Sequence, residues 1–516
     1  MTGVAATAPT PLTGSMRTLV TVCVMIAALM EALDSTIANV ALPYMKGSLA
    51  TTEYQIEWVL TSYIVAAAIM TPATGWLDAR FGRRPVFLTC IAGFIIFSML
   101  CGTATNISEM VSYRLLQGVF GAPLVPLSQA VLLDSYPLSQ RGQAMAIFGV
   151  GVMLGPILGP TLGGWLTQNY NWRWVFYVNV PFGILTFVLS WFFLAERDKM
   201  PSAKLDWMGF GTLGLGIGAL QLFLDRGQQL DWFSSTEIKI EFALAILGFY
   251  LFIVHTATAR KAFLDGRLFV DRNFVMGNVL IFIVGAVLFA TLSLLSPYLE
   301  NLLNYPVLTA GLVLAPRGLG TMVAMVLVGR LMTVVDSKYL LLAGLAMTAL
   351  SLYQMSQFTA DISQAAIVKT GIIQGFGLGF VFVPLSTVAF ATLPDALNAQ
   401  GTGFFNLMRN VGSSVGISVT SFLLTRNSDI MHSDLAGHIS PYSRGVQDLG
   451  SVIDLHTEKG KAIVNELVNA QAQNIGYEDN FRLMMYLAIL SMPLVFLLRH
   501  TKPVKAHPAG AQERAT

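Results

Sequence analysis

The sequence predicts an all-α integral membrane protein of fourteen transmembrane helices, organised as two six-helix bundles with two helices inserted between them. Three observations carry that expectation. Of the 516 residues, 54% are hydrophobic and only 12% charged, and the mean hydropathy of +0.63 lies far above soluble usage. Apolar runs of roughly 18 to 25 residues, each able to cross about 30 Å of hydrocarbon, recur along the chain. Similar motifs also return in the same order at an offset near 257 residues.

The runs fall near 18–41, 57–77, 86–105, 109–132, 143–166, 175–195, 208–225, 241–258, 274–296, 308–332, 339–358, 366–389, 402–424 and 482–499. The first is too long for a removable signal peptide, holds two acids and is followed by no small-residue cleavage site. An even number of spans puts both termini on one side, and Lys and Arg decide which. With a cytoplasmic N-terminus, eighteen basic residues fall in inside segments and eight in outside ones, so both termini are expected in the cytoplasm.

The repeat rests on "LLQGVFGAPLVPLS" (115–128) and "IIQGFGLGFVFVPLS" (372–386), which place Gln117 on Gln374 at an offset of 257. The same offset sets Gly155 on Gly412 and Gly159 on Gly416, while an offset of 254 sets "GWL" (75–77) on "GRL" (329–331). Two halves in one orientation imply a cavity at their interface and rocking about it. The expected organisation is a cytoplasmic tail (1–16), a bundle (17–196), two inserted helices with linkers (197–271), a second bundle (272–500) containing an extracytoplasmic loop (425–481), and a tail (501–516).

The composition also excludes classes. A net charge of +2 with scattered basic residues gives no continuous basic face for nucleic acid. Cys23, Cys90 and Cys101 lie in apolar runs, and the last two, eleven residues apart on one helix, are separated by about 16 Å. No disulfide or metal site is expected. His432 and His438 in the outer loop read as solvated. No phosphate loop, HExxH motif or nucleophile elbow occurs on a suitable loop, which argues against an enzyme, and a sensor would not need two cavity-forming halves.

Charges inside the spans are the candidates for function, because burying them in lipid is expensive. Span 1 carries Glu31 and Asp34, three residues apart and so on one helical face. Low dielectric disfavours a carboxylate's charged form, so such an acid can take a proton from one side and release it on the other when a cation approaches. Asp34 is expected to be the main proton carrier. Glu31 is a second carrier, an acid attracting cationic substrate, or a structural partner of a neighbouring helix. Arg114, several residues inside span 4, either faces the interior with a span 1 acid as partner or snorkels outward. Arg409 in span 13 either is a second intramembrane cation or, lying close to the cytoplasmic end, reaches the headgroups, and Arg317 in span 10 is deeper without an assignable role. Gln117, Gln374 and Asn406, with the two acids, are candidate cavity residues.

Several motifs resemble known ones. "GWLDARFGRR" (75–84) resembles the signature loop of the major facilitator superfamily, whose acid and basic cluster hold the outward-open state. Here the acid is Asp78 rather than the residue directly before Arg80. The resemblance implies conformational roles for Gly75, Asp78, Arg80, Gly82, Arg83 and Arg84. "RLLQGVFGA" (114–122) resembles the fourth-span motif, whose Arg is assigned to proton coupling. "GVMLGPILGPTLGG" (151–164) sets Gly151, Gly155, Gly159 and Gly163 on one smooth face, with Pro156 and Pro160 weakening the helix ladder. It resembles the fifth-span signature of drug:proton antiporters.

"LDSTIANVALP" (33–43) and "NWRWVFYVNVPFG" (171–183) are similar to segments of the fourteen-span antiporters, and the outer loop, with an amphipathic helix at 458–475 that sets Ile463, Leu467 and Ala470 on one stripe, resembles the EmrB branch. That resemblance implies proton-gradient-driven multidrug efflux from the bacterial inner membrane without a cofactor. It also implies an EmrA-like periplasmic adaptor and a TolC-like outer-membrane channel as partners. Proton-coupled exchange of a specific metabolite stays open as the alternative.

Overall fold

The computed structural model describes residues 14–196, 204–259, 262–359, 361–439 and 457–499. The C-terminal tail (501–516), most of the N-terminal tail and the middle of the outer loop (440–456) lie outside the described residues. Fourteen long helices run through the rest: α1 (Gly14–Ser48), α2 (Tyr54–Phe81), α3 (Arg83–Thr103), α4 (Ile107–Ser135), α5 (Arg141–Asn169), α6 (Trp174–Phe193), α7 (Trp207–Arg226), α8 (Thr236–Thr258), α9 (Arg272–Leu302), α10 (Val307–Leu331), α11 (Ser337–Met355), α12 (Gln364–Phe390), α13 (Asn398–His438) and α14 (Glu458–Val495). No strand occurs among the described residues.

Eleven of these helices are long and apolar enough to cross a membrane. The other three, α11, α13 and α14, carry more polar ends or extensions, and each is packed against its neighbours in the second half. α1 packs on α5, α4 and α6, and α9 packs on α13, α12 and α14. The inserted α7 and α8 pack on each other, and α7 lies against α2 and α13. Insertion therefore covers one seam between the halves, while α5 against α10 and α12 forms the other.

Helix ends follow local chemistry. Asn106, Asp206, Asp271 and Ser363 cap their helices by accepting a backbone N–H from the first turn. Gly82, between α2 and α3, has φ of 87°, a conformation that side-chain-bearing residues rarely adopt. It turns the chain so that Arg83 starts α3.

The outer loop is the main departure from expectation. α13 continues to His438 and α14 begins at Glu458, so 425–438 and 458–481 are helical extensions of spans. The amphipathic stretch at 458–475 is continuous with α14, and His432 binds the Asn465 Oδ1 at 3.0 Å across the pair. Alternating polar and small residues masked this continuity, because extra-membrane helix has no hydropathy signal.

The core is asymmetric. At the end carrying Arg80, Arg83 and Arg84, one apolar cluster crosses both halves, joining residues such as Phe87, Leu132 and Phe148 to Val328, Phe382 and Val388. At the opposite end, the first half keeps a cluster around Met45, Met110 and Phe176, and the second a separate one around Leu295, Tyr298 and Phe481. The conformation is closed at the Arg-cluster end.

Candidate functional site

A buried polar cluster surrounds Asp34, which is fully buried in α1. Arg114 Nη1 on α4 lies 2.7 Å from Asp34 Oδ2. Gln117 Nε2 donates to Oδ1 at 3.0 Å, and Asn179 Nδ2 on α6 donates to the same oxygen at 2.7 Å. Three donors from two helices thus hold one carboxylate. Arg114 is itself locked by bonds to the Val59 carbonyl (3.1 Å) and Gln117 Oε1 (3.0 Å), and its guanidinium stacks 4.4 Å from the Tyr63 ring centroid. Arg114 therefore faces the interior with a span 1 acid and does not snorkel. Breaking such a sealed pair by removing one partner costs about 3–5 kcal/mol.

Glu31, one helical turn earlier on the same face, is half-buried and accepts from Tyr63 Oη at 3.3 Å. Tyr63 thus links the two acids: its hydroxyl faces Glu31 and its ring faces Arg114. Across the molecule Arg409 on α13 is within Coulombic reach of Glu31. It is half-buried, and among the described residues its hydrogen bonds are long ones to Asn410 Oδ1, at 3.3 Å and 3.4 Å. The two halves thus present opposite charges to each other.

The other candidate cavity residues are sealed in this conformation. Gln117 belongs to the Asp34 cluster. Gln374 is fully buried in α12 and donates to Thr291 Oγ1 at 3.3 Å. Asn406 on α13 donates to Gln129 Oε1 on α4 at 2.8 Å, joining the halves. Their identity as polar residues inside spans was legible, but whether a buried amide faces a cavity or a neighbouring helix depends on packing.

At the Arg-cluster end the motif residues form a chain of charges. Arg83 bonds Asp78 through Nε (3.2 Å) and Nη2 (3.1 Å), and Asp134 through Nη1 (2.7 Å). Asp78 is thus ion-paired with the basic cluster although displaced by one residue in the motif. Asn398, at the start of α13, donates to Asp134 Oδ1 at 2.9 Å. Arg141, at the start of α5, pairs with Asp395 at 2.8 Å. The two bonds are reciprocal, each running from the first residue of one half's fifth helix to an acid of the other half. Gly75 lets α2 approach α13: a Cβ there would lie 2.6 Å from Gln400 Cα. Arg84 donates to the Trp191 carbonyl and stacks on that ring, while Arg80 is half-buried nearby. Asp134, Arg141, Asp395, Asn398 and Asn179 were not singled out from sequence. Only Asn179, in "NVP", stood in a motif that could have signalled it.

The glycine face of α5 packs on α1. Added Cβ atoms would meet Met25 at Gly151, the Ala32 backbone at 2.4 Å at Gly155, Thr36 at Gly159 and Ile37 at Gly163. Thr36 Oγ1 donates to the Gly155 carbonyl at 3.2 Å, beside Pro156; Pro160 is exposed on the opposite side. The stripe positions the helix that carries both acids. Cys23, Cys90 and Cys101 are buried and free.

A polytopic helical protein with two bundles fused at one end and a sealed ion pair on the first helix is a membrane transporter by architecture. The sequence matches the Major Facilitator Superfamily over residues 24–417, and the chain belongs to that superfamily. It is 35% identical to the fatty acid resistance protein FarB of Neisseria gonorrhoeae, covering 95% of this chain and 97% of that protein. It is 34% identical to the multidrug export protein EmrB of Escherichia coli K12, over 86% and 87%. Among solved structures, the fold resembles the proton:xylose symporter XylE with a TM-score of 0.63 at 14% identity, covering 95% of this chain and 97% of that one. It also resembles the human organic anion transporter MFSD10, with a TM-score of 0.60 at 16% identity over 93% and 99%.

Proposed function

We propose that this protein is a proton-coupled antiporter that exports lipophilic and amphipathic toxic compounds by alternating access. The observation that carries the reading is the Asp34 cluster: a carboxylate removed from solvent, neutralised by Arg114 and oriented by Gln117 and Asn179. Protonating Asp34 dissolves its claim on Arg114, and the freed guanidinium repacks against α1 and α4. A packed core converts such a local change into a switch between discrete arrangements. Glu31, half-buried and opposite Arg409, receives the substrate side of the exchange.

Kinship with relatives named for multidrug export and fatty acid resistance supports amphipathic cargo. One proton moving down about 100 mV yields about 2.3 kcal/mol, and one pH unit adds about 1.4 kcal/mol. Together these drive a gradient of roughly a few hundred-fold. We place the Arg-cluster end and both termini in the cytoplasm, all fourteen helices across the bacterial inner membrane, and the extensions of α13 and α14 in the periplasm. There they would meet an EmrA-like adaptor leading to a TolC-like channel. The two halves at 17–196 and 272–500, and the insertion at 197–271, are the rigid units of the proposed rocking.

The test is substrate-induced proton release from purified protein in detergent, read with a pH dye. Wild type should release protons on adding lipophilic compounds, Asp34→Asn should release none, and Glu31→Gln should lose substrate response. Absence of release from wild type across a broad panel would replace this reading with a narrow metabolite carrier.

A further inference from the structure

The second half contains a partly preserved copy of the Asp34 site. At the offset of 257 that matches Gln117 to Gln374, Asp34 falls on Thr291 and Arg114 falls on Gly371. The match is structural: Gln117 Nε2 donates to Asp34 and Gln374 Nε2 donates to Thr291 Oγ1, each across 83 residues of sequence. In the second half the acid has become a hydroxyl and the arginine a glycine.

A cation nevertheless occupies the place. Arg317, on α10, lies against that glycine, a Cβ on Gly371 being 3.5 Å from the Arg317 Cβ. Arg317 is 4% exposed, and among the described residues its side chain makes one hydrogen bond, from Nη2 to the Leu288 carbonyl, long at 3.4 Å. Leu288 and Thr291 are three residues apart and so share a face of α9. Arg317 Nη1 and Gln374 Oε1 are both buried without a hydrogen-bond partner. The first half holds a matched pair, whereas the second holds a cation, an amide and a hydroxyl, none of which bonds a carboxylate among the described residues.

We propose that Arg317, with Gln374 and Thr291, binds the carboxylate of an amphipathic monoanionic substrate. An unpaired guanidinium in the middle of a span is costly to keep, and its planar fork suits a carboxylate held by two parallel bonds. A single fixed positive charge among apolar walls fits one negative charge better than two. Val287 and Leu378, beside Leu288 and one turn from Gln374, are among the mostly apolar neighbours of this place, with Ile283, Val284, Leu345 and Val381, against which a hydrocarbon tail would have to be accommodated by repacking. The ligand thus supplies the negative charge that Asp34 supplies in the other half. This site rests on the efflux reading and extends it to anionic cargo, leaving cationic cargo to Glu31.

The experiment measures binding of tritiated decanoate and of tritiated tetraphenylphosphonium to the purified full-length protein, and transport of both into proteoliposomes. Arg317→Gln should weaken decanoate binding about tenfold or more while tetraphenylphosphonium binding holds, and Arg317→Lys should retain part of the affinity. Thr291→Asp, which restores the first half's acid, should exclude decanoate as strongly without deleting the cation. It keeps the test decisive if Arg317→Gln does not fold. Decanoate binding that is absent in wild type, or unchanged in both Arg317→Gln and Thr291→Asp, overturns the site. Wild type that binds decanoate, with loss in the variants, but transports neither compound against a proton gradient supports the site and overturns the efflux reading instead.

Discussion

Asp34 and Arg114 meet at 2.7 Å with neither side chain more than 1% exposed, and Asn179 reaches the same carboxylate from α6 at 2.7 Å. Asn179 touches no solvent and acts on transport through Asp34. Losing a hydrogen bond to a charged group costs about 1.5–3 kcal/mol. Asn179→Ala is therefore expected to lower substrate-induced proton release about tenfold, while Asn179→Ser, which keeps a donor, restores part of it. Proton release equal to wild type in Asn179→Ala would remove it as a positioning residue.

The α1–α5 contact makes a paired prediction. A Cβ at Gly155 would lie 2.4 Å from the Ala32 carbonyl carbon, whereas at Gly164, nine residues on, the nearest atom is the Val40 Cγ1 at 3.9 Å. Overpacking costs about 1–3 kcal/mol, while a helical Gly→Ala change in open space gains up to about 1 kcal/mol. Gly155→Ala should lower the unfolding temperature in detergent and abolish transport, and Gly164→Ala should do neither. Equal effects would mean that the face is not a tight contact.

Arg83 is shared by Asp78 and Asp134, and Asp134 is held from the other half by Asn398. Arg83→Ala withdraws the cation from both acids, with an expected destabilisation of about 3–5 kcal/mol. If the stranded carboxylates cause the loss, adding Asp134→Asn should recover part of the thermal stability, measured as the unfolding temperature of each purified variant. A double variant no more stable than Arg83→Ala would point to lost packing instead.

Much of this site could be read in the sequence because charge in lipid is self-announcing: Asp34 and Arg114 each needed a partner, and each was the nearest answer for the other. Glu31 and Asp34 shared a face by spacing alone. Asn179, Gln129 and Asn398 were not legible in the same way, since a polar amide inside a span is tolerable in many settings. Their partners lie 145, 277 and 264 residues away; the first pairing is fixed when α6 packs on α1 within one bundle, the other two only when the two bundles close on each other. The amphipathic helix at 458–475 was legible from its apolar stripe and lies within α14, but the extension of α13 beyond Thr425 and the continuity of 458–475 with the span escaped for a different reason: hydropathy marks where helix is in lipid, not where helix ends.

The linkers of the inserted pair supply a pH prediction. Asp206 precedes α7 and binds His255 Nε2 at 2.8 Å and the backbone N–H groups of Gly209 and Phe263 at 3.0 Å. Burial pushes its carboxyl up, but these bonds outweigh it and hold it below the usual carboxylate range. A carboxylate so lowered stabilises the fold above its unfolded value, about 3.9, and the contribution is lost as pH falls through its folded value. Asp206→Asn should therefore lower the unfolding temperature at pH 7 and converge with wild type under strong acid. Curves that stay parallel down to pH 3 would contradict this.

The paired extensions of α13 and α14 carry exposed apolar side chains, Ile430 and Leu467, each 48% exposed, on helices that have left the apolar runs. Under the proposed tripartite assembly these helices are where the adaptor docks, and Leu467 is its candidate apolar contact. Leu467→Asp is expected to abolish adaptor capture in a pull-down with the purified adaptor while leaving proton-driven uptake into proteoliposomes within about twofold, since a surface substitution away from packed contacts changes stability little. If uptake falls together with capture, the extensions act on the exit path itself, as a lid, and the surface belongs to transport rather than to assembly.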